Sequence, residues 1–338
     1  MQHKTLSFTL NIMLVFLFLL ASACTSNTKN NDAMSAFIDK MVNIHQFDAK
    51  EMRELFKSVE IKDDILKRIS SPSENMPWYS YRKIFITDER INSGVKFWQQ
   101  NESTLSTVAK QSGIPAEIIV AIIGVETLYG QKTGNHSVID ALATLAFAYP
   151  PRSSFFINEL EEFLLLCREE QLNPSDMKGS YAGAMGIPQF MPSSFRSVAI
   201  DYDHDGHKDI WHNPGDAIAS IANYLIKQKW QPGQPIAIPL LFKGVGNPKI
   251  TLSNGLKPDL RQDELKLLNL KTMRPIPSLT TKVKLLSFEQ LLGQKQTNDL
   301  WAGLDNFYVI TRYNNSALYA MAVYQLSQSI LNKKGNFP

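Results

Sequence analysis

Cysteine is scarce in this chain of 338 residues, which contains only Cys24 and Cys167. A fold stapled by several disulfides is therefore excluded. If Cys24 is consumed by another modification, Cys167 has no partner for an intramolecular disulfide either. Cys167 lies in the apolar stretch "EFLLLCREE", which predicts a buried thiol that packs as a small hydrophobic side chain.

Clustered positive charge is also missing. The net charge is +3, and the one pair of adjacent lysines, Lys333 and Lys334, lies close to the C-terminus. Proteins that bind DNA or RNA concentrate lysine and arginine in one tract or on one face, so the sequence predicts no nucleic-acid partner. The hydrophobic fraction of 44% is sufficient for a packed core, and the length predicts about two domains, or one domain with a subdomain.

The N-terminus carries a largely apolar stretch. Lys4 precedes it, it extends from Leu6 to Leu20, and small residues follow it. A positive residue, a short apolar segment and small residues at a cleavage point are typical of a secretory signal peptide. We therefore predict a signal peptide over residues 1–23. The alternative is a segment that is kept as a membrane anchor.

The residues at the end of this stretch, "ASAC", resemble a bacterial lipobox. In a lipobox the cysteine, here Cys24, becomes the lipidated first residue of the mature protein. Thr25 follows it, where an aspartate would signal retention in the inner membrane. The resemblance thus implies a lipid anchor at the periplasmic face of the outer membrane, with residues 24–33 as a tether.

Most of the remaining sequence has helical patterning. Asp48 with Glu51 resembles a capping box at a helix N-terminus. Further helices are expected near residues 138–147, 154–170, 214–229 and 315–331. "QPIAIPLLF" and "PKITLSNG" have strand-and-turn character instead, although Pro239 requires an edge strand or a bulge. The predicted fold class is mainly α (α+β), with a helical core over residues 34–230, a small inserted β-containing subdomain over 231–285, and a C-terminal segment with a helix over 286–338.

One acidic residue, Glu126, ends the apolar stretch "IIVAIIGV". A buried carboxylate costs several kcal/mol unless it is compensated. Burial and the negative end of a helix both favour its protonated form, and no lysine or arginine lies within four residues of it. A carboxylic acid that is kept neutral suits general-acid catalysis. The alternative is a structural glutamate hydrogen-bonded to the backbone.

A second irregular stretch covers residues 179–193, "GSYAGAMGIPQFMPS", with three glycines and two prolines. Glycine allows the backbone to approach another group closely, so this composition predicts a shaped loop beside a site.

Four motifs occur in an order that is specific to one family. They are "GVETLYG", "PPRSSFFINELEEFL", "GSYAGAMGIPQFMPSSF" and "NFYVITRYNNSALYAMAV", and they resemble the motifs of the membrane-bound lytic transglycosylase B family. The resemblance covers roughly residues 36–331. It implies a lysozyme-like helical core and cleavage of peptidoglycan glycan strands between N-acetylmuramic acid and N-acetylglucosamine.

The resemblance also implies roles for single residues. Glu126 matches the catalytic acid/base, and Ser180, next to Tyr181, matches the active-site serine. The other matched positions are Gln189 and Phe190, which line the sugar groove, Arg152, which contacts substrate, Tyr81, which lies near the acid, and Tyr313, Asn314 and Tyr319, which close the cleft. For each aromatic residue the alternative is a place in the core.

The implied mechanism uses a single carboxyl group. Glu126 protonates the glycosidic oxygen, the N-acetyl group of the substrate stabilises the cation, and Glu126 then takes the proton of the C6 hydroxyl as a 1,6-anhydro ring closes. This chemistry requires no metal and no cofactor, and we expect a monomer.

Two alternatives use different chemistry. A muramidase would hydrolyse the same bond with a second carboxylate. The glycine-rich loop supplies none, because no acid lies between Asp176 and Asp201, and Asp140 and Glu162 are the candidates that could fold back towards Glu126. A non-catalytic cell-wall-binding lipoprotein would have no need of Glu126.

The stretch "DYDHDGHKDIWH", residues 201–212, fits part of a calcium-binding EF-hand loop. Asp201, Asp203 and Asp205 occupy its first ligand positions, and His207 would contribute its carbonyl. Position twelve, normally an acid, is His212, and a neutral imidazole is a poor calcium ligand. The sequence thus predicts a weakened structural Ca²⁺ site, with an aspartate-rich turn that needs no metal as the alternative.

Overall fold

The computed structural model of the chain describes residues 32–70, 76–244, 252–278 and 280–335. The predicted signal peptide and Cys24 lie outside these residues. The chain divides into two compact bodies. The first contains the described parts of Met1–Ser71 together with His136–Met177 and Tyr181–Gly183, and the second contains those of Pro72–Asn135, Lys178–Ser180 and Ala184–Pro338.

The described residues are mainly helical, which confirms the predicted fold class. The helices are α1 (residues 32–43), α2 (Ala49–Lys57), α3 (Asp63–Ile69), α4 (Trp78–Phe85), α5 (Asp88–Gln100), α6 (Glu102–Ser112), α7 (Ala116–Thr127), α8 (Val138–Ala148), α9 (Ser153–Glu169), α10 (Pro192–Val198), α11 (Pro214–Lys227), α12 (Gln262–Leu267), α13 (Asp305–Thr311) and α14 (Ala317–Gly335). The strands are β1 (His136–Ser137), β2 (Lys178–Gly179), β3 (Ala237–Phe242), β4 (Leu270–Thr272), β5 (Lys284–Leu292) and β6 (Lys295–Gly303). A 3₁₀ turn, Pro150–Arg152, precedes α9.

A local sequence signal determines the start of helix α2 in the first body. Asp48 caps α2, because its side chain accepts hydrogen bonds from the backbone N–H groups of Lys50 and Glu51, both at 2.8 Å.

Helix α8 packs against α9. Cys167 on α9 is buried, and burial raises the pKa of its thiol to about 12. The prediction of a buried cysteine that packs as a small hydrophobic side chain is confirmed.

Helix α7 is the centre of the second body, and α5, α6, α11 and α14 pack around it. Only Glu117 and Glu126 among its residues are not buried. Pro115 stands just before the helix as its N-cap. Within the described residues, no single helix is long and apolar enough to cross a membrane. Helices α6 and α7, which are bent against each other, reach that length and apolar composition only when they are taken together.

The second body also holds a four-stranded antiparallel sheet in the order β4-β3-β6-β5. The sheet extends to Gly303, beyond residue 285, where the sequence patterning had placed its limit. Pro239 lies in the inner strand β3, not at an edge or a bulge. It is tolerated because the pairing with the short β4 begins only at Leu240, and its carbonyl still accepts a hydrogen bond from Met273 N at 3.0 Å.

Candidate active site

Glu126 lies in the last turn of α7 and is held by a tyrosine. The hydroxyl of Tyr319, on α14, donates a hydrogen bond to Glu126 Oε1 at 2.6 Å. Protein atoms surround the carboxyl group, although the residue keeps some accessible surface. Burial raises the pKa of Glu126 to about 7, and the hydrogen bond from Tyr319 opposes this rise. A carboxyl group with this pKa is protonated in about half of the molecules at pH 7, whereas an ordinary glutamate is almost fully ionised there.

The backbone turns sharply straight after Glu126. Leu128 and Tyr129 have positive φ angles of 50° and 61°, and Gly130 follows at 84°. Left-handed conformations at two consecutive non-glycine residues require strong support from their surroundings. Thr127 supplies part of it, because its buried Oγ1 accepts a hydrogen bond from Gly130 N and donates to the Ile187 carbonyl, both at 3.0 Å.

Tyr129 fixes α7 against α5. Its ring lies where two glycines leave room, since a Cβ added at Gly94 or at Gly124 would stand 2.5 Å from the Tyr129 hydroxyl. That hydroxyl donates to the Arg90 carbonyl, and Arg90 Nη1 donates to the Gly124 carbonyl, both at 2.8 Å. Sequence reasoning did not identify Arg90 or Tyr129. Gly124 of "GVETLYG" was the available signal for a close approach at this helix end.

Aromatic rings form a continuous cluster next to Glu126. Tyr313 stacks on Tyr319 with ring centroids 6.4 Å apart, and its hydroxyl donates to the Pro188 carbonyl at 2.6 Å. Phe190 and Tyr224 complete the cluster, with centroids 5.9 and 4.9 Å from that of Tyr313. Tyr224 was missed from the sequence, because nothing in α11 distinguishes it from an ordinary helix residue.

The glycine-rich loop is closed by its own hydrogen bonds. Ser180 N donates to the Ala184 carbonyl at 2.8 Å, and Ser180 Oγ accepts from Ala184 N at 3.0 Å. Met185 and Phe190 exchange both backbone hydrogen bonds. Gln189, with a φ of 52°, directs its amide to the Thr133 and Gly186 carbonyls at 3.0 and 2.8 Å. The loop is shaped as predicted, and the hydrogen bond from Thr127 to the Ile187 carbonyl places it next to the residue that follows Glu126.

The remaining predicted substrate residues are distributed over both bodies. Tyr81 packs against Trp78 and Phe85 on α4, and its proximity helps to raise the pKa of Tyr319. Asn314 is exposed between α13 and α14. Tyr181 and Arg152 belong to the first body, where the Arg152 guanidinium lies 4.4 Å from the centroid of the Phe155 ring.

The two acids considered as a second catalytic carboxylate also belong to the first body. Asp140 Oδ1 accepts a hydrogen bond from Glu60 N at 3.0 Å, and Glu162 lies on α9. Burial and Tyr319 account for the pKa of Glu126 in the described part of the chain, with no contribution from another carboxylate.

The aspartate loop brings three carboxylates together. Oxygens of Asp201, Asp203 and Asp205 lie within 4.8 Å of one another, and hard oxygen donors in this arrangement suit Ca²⁺. His212 is not part of the cluster, because its imidazole is largely exposed and lies 3.3 Å from Asp209. Asp201 also accepts hydrogen bonds from the backbone N–H groups of Asp205 and Gly206 at 3.2 and 3.0 Å.

A buried carboxylate holds both ends of this loop. Asp216, at the start of α11, accepts hydrogen bonds from Tyr202 N at 2.9 Å and Asp209 N at 2.8 Å. His207 N donates to Asp205 at 2.8 Å, while the His207 carbonyl remains a predicted ligand. The residues present fit a calcium ion, with the twelfth position missing.

The chain is similar in sequence and structure to known proteins. Residues 29–328 match the family model of the transglycosylase SLT domain. Over 311 residues the chain is 42% identical to membrane-bound lytic murein transglycosylase B of Escherichia coli (strain K12), which covers 89% of this chain and 83% of that protein. The soluble lytic transglycosylase SltB1 from Pseudomonas aeruginosa is 45% identical, with a TM-score of 0.82 over 89% of this chain and 99% of that one. Slt35 of Escherichia coli, in complex with calcium, is 41% identical, with a TM-score of 0.81 over 90% and 94% of the two chains.

A structure of lower identity carries a peptide-bearing sugar. SltB3 from Pseudomonas aeruginosa, in complex with NAG-NAM-pentapeptide, is 30% identical, with a TM-score of 0.77 over 92% of this chain and 82% of that one. The family match spans far more than half of the chain, and the site geometry agrees with it. The chain therefore belongs to the SLT-domain family of lytic transglycosylases.

Proposed function

We propose that this chain cleaves peptidoglycan glycan strands as a lytic murein transglycosylase, with Glu126 as its single acid and base. The observation that carries the proposal is the geometry of Glu126, which is desolvated, protonated near neutral pH and held by Tyr319. The curated relative is named a lytic murein transglycosylase, and SltB3 binds NAG-NAM-pentapeptide. Both support a substrate in which N-acetylmuramic acid is linked to N-acetylglucosamine.

The first step is protonation of the leaving oxygen. Because Tyr319 donates to Oε1, the proton of the neutral carboxyl group is held on Oε2, and we assign this atom as the donor to the glycosidic oxygen. Proton transfer from Oε2 lets the bond break, and the N-acetyl group of the muramic acid stabilises the cation at C1. Tyr319 then also stabilises the carboxylate that is formed, since its hydroxyl remains a donor.

The second step returns the proton. The carboxylate of Glu126 accepts the proton of the C6 hydroxyl, whose oxygen attacks C1 and closes the 1,6-anhydro ring. Glu126 is thereby regenerated in its neutral form, so one residue serves as acid and then as base. In this proposal Ser180, Gln189 and Phe190 position the sugar in the groove beside the aromatic cluster. Tyr81, Tyr313 and Asn314 contact the sugar from the same body.

The product tests this function. Purified peptidoglycan digested by the protein should give anhydro-muramoyl ends, which mass spectrometry detects because they are lighter than reducing ends by one water. Reducing ends in their place would favour the muramidase alternative, and no cleavage at all would favour the non-catalytic one.

Tyr319→Phe should impair catalysis and move its pH dependence. The hydroxyl favours the ionised form of Glu126, so its loss raises the pKa of Glu126 further. Activity that depends on the protonated acid falls as the pH rises through that pKa, and in the variant this decline should occur at higher pH. A hydrogen bond to a charged group contributes about 1.5–3 kcal/mol, so kcat should fall at least about tenfold. A pH profile identical to that of wild type would show that Tyr319 does not act on Glu126.

We also propose that the loop 201–212 binds Ca²⁺ for stability. Asp201, Asp203 and Asp205 would hold the ion together with the His207 carbonyl, and the calcium complex of Slt35 supports this assignment. The ion would tie the loop that leads into α11, the helix that carries Tyr224.

Calcium should accordingly raise the melting temperature. A ligand that binds only the folded state adds about 2.7 kcal/mol at one hundred times its dissociation constant. Thermal unfolding in millimolar calcium and in chelator measures the shift, and Asp203→Ala should remove it. Identical melting curves in both solutions would contradict the assignment.

We further propose that the protein is a lipoprotein at the periplasmic face of the outer membrane. The lipobox-like "ASAC" supports this location, and so does the membrane-bound relative. Cys24→Ser should release the protein into the soluble periplasmic fraction or stall its processing. Fractionation that finds the wild-type protein already soluble would refute the anchor.

A further inference from the structure

A cavity of about 360 Å³ lies between the start of α4 and the strand β5. Its lining includes Trp78, Tyr79, Ser287, Glu289 and Leu318. Nothing in the proposed reaction at Glu126 uses these residues. The cavity is nevertheless close to the catalytic groups, because Leu318 precedes Tyr319 and the ring of Trp78 stacks on that of Tyr81 with centroids 6.2 Å apart.

Polar groups in this cavity have no partner in the described protein. The indole N–H of Trp78 is buried without a hydrogen-bond acceptor, although the residue is only 1% exposed. Within the described ranges, the hydroxyl of Tyr79 and the carboxylate of Glu289 also form no hydrogen bond or ion pair. The N–H of Trp78 is itself closed off from solvent. Tyr79 is half-buried and Glu289 is exposed, so the hydroxyl and the carboxylate are accessible to a ligand that enters the cavity.

The strand that borders the cavity has an open edge. Among the strands that the structure describes, β5 is the last of the sheet and pairs only with β6. Just before it, Val283 exchanges both backbone hydrogen bonds with Leu260, on the side away from β6. In an antiparallel strand, the backbone N–H and C=O groups of every second residue point to the same side. Counting in steps of two from Val283, those of Ser287 and Glu289 also point away from β6. Both residues line the cavity.

We propose that this edge binds the peptide of the peptidoglycan substrate as an added β-strand, while the attached glycan lies at Glu126. An extended peptide satisfies an open strand edge through backbone hydrogen bonds. The carboxylate of Glu289 is complementary to an ammonium group on the peptide, and the rings of Trp78 and Tyr79 form the apolar wall opposite. Peptide-bearing sugar bound by SltB3 supports the occupant. The inference rests on the proposed glycan-cleaving function and adds the part of the substrate that the sugar groove does not contact.

The test compares glycan strands that carry peptides with the same strands stripped of them by an amidase. The measured quantity is the ratio of kcat/KM on the two substrates. Glu289→Gln should lower this ratio about fivefold, which is the effect of losing an exposed ion pair of about 1 kcal/mol. Asp299→Asn, the same change of charge on the other strand of the hairpin, should leave the ratio at the wild-type value.

A second pair of variants tests the backbone contact. Ser287→Pro removes an outward N–H without breaking the ladder to β6, because proline is tolerated at such edge positions. It should lower the ratio about fivefold, corresponding to one hydrogen bond. Leu291→Pro removes an equivalent outward N–H beyond the cavity and serves as the matched control, with thermal unfolding to confirm that both variants fold.

Acetylating the free amino groups of the peptides should abolish the difference between wild type and Glu289→Gln. If the ratio of kcat/KM on the two substrates stays at the wild-type value in both Glu289→Gln and Ser287→Pro, the peptide site is wrong. It is also wrong if Asp299→Asn and Leu291→Pro lower this ratio as much as their partner variants do. If wild type cleaves neither substrate, the proposed function itself fails, which is a separate outcome.

Discussion

Glu126→Gln is expected to abolish most of the glycan-cleaving activity while leaving the shape of the site intact. Glutamine keeps the size of the side chain and can still accept the hydrogen bond from Tyr319, but it cannot donate a proton to the glycosidic oxygen. General acid–base catalysis contributes about 10²–10⁴-fold, so the rate of release of muropeptides should fall by about that factor or more. Binding of glycan strands should largely survive, because the aromatic cluster and the glycine-rich loop are unchanged.

Helix α7 offers a matched control for this variant. Glu117, at the other end of the same helix, is also partly buried, and burial raises its pKa. No hydrogen bond or ion pair joins it to the catalytic cluster within the described residues, so Glu117→Gln should keep wild-type activity. Full activity of Glu126→Gln would return Glu126 to a structural role and remove the basis of the mechanism.

The same variant should be more stable than wild type at alkaline pH. The pKa of Glu126 is raised from 4.5 to about 7 in the folded protein. The unfolded chain therefore ionises first, and stability falls as the pH rises from about 4.5 to about 7, after which the loss is constant. A rise of this size corresponds to at most about 3 kcal/mol. Glutamine does not ionise and escapes the loss.

Urea unfolding at pH 4 and pH 8 measures this cost. At pH 4 the glutamate is protonated in both states, and the two proteins should differ little. At pH 8 the free energy of unfolding of Glu126→Gln should exceed that of wild type by up to about 3 kcal/mol. A difference that is the same at both pH values would show that the carboxyl group is not desolvated in the folded protein.

The chemistry at Glu126 could be predicted from local sequence, because its causes are local. The apolar residues before it and the absence of nearby lysine and arginine predicted a protonated acid at a helix end, and the structure gives a pKa of about 7. Asp48 likewise identified a helix start through its own capping hydrogen bonds. Both inferences depend on residues within a few positions of one another.

Contacts between segments that are distant in the chain could not be predicted from local sequence. Tyr224 and Arg90 reach the site only through the packing of α11 and α5 around α7, and neither has a distinctive sequence neighbourhood. The hairpin of β5 and β6 was placed partly outside the β-containing segment because its outer half, "EQLLGQKQTND", is largely polar and exposed. Its pairing depends on the turn at Gly293, where φ is 62°, and on its buried residues such as Leu285 and Leu300.

Digestion of peptidoglycan in ¹⁸O-labelled water tests the central claim most directly. If Glu126 acts alone and the C6 hydroxyl attacks C1, no water enters the bond that is made. The new muramoyl ends should then be anhydro forms, one water lighter than reducing ends, and mass spectrometry should find no ¹⁸O in them. Labelled reducing ends would mean that water is the nucleophile, and would require a second catalytic carboxylate in place of the lone acid described here.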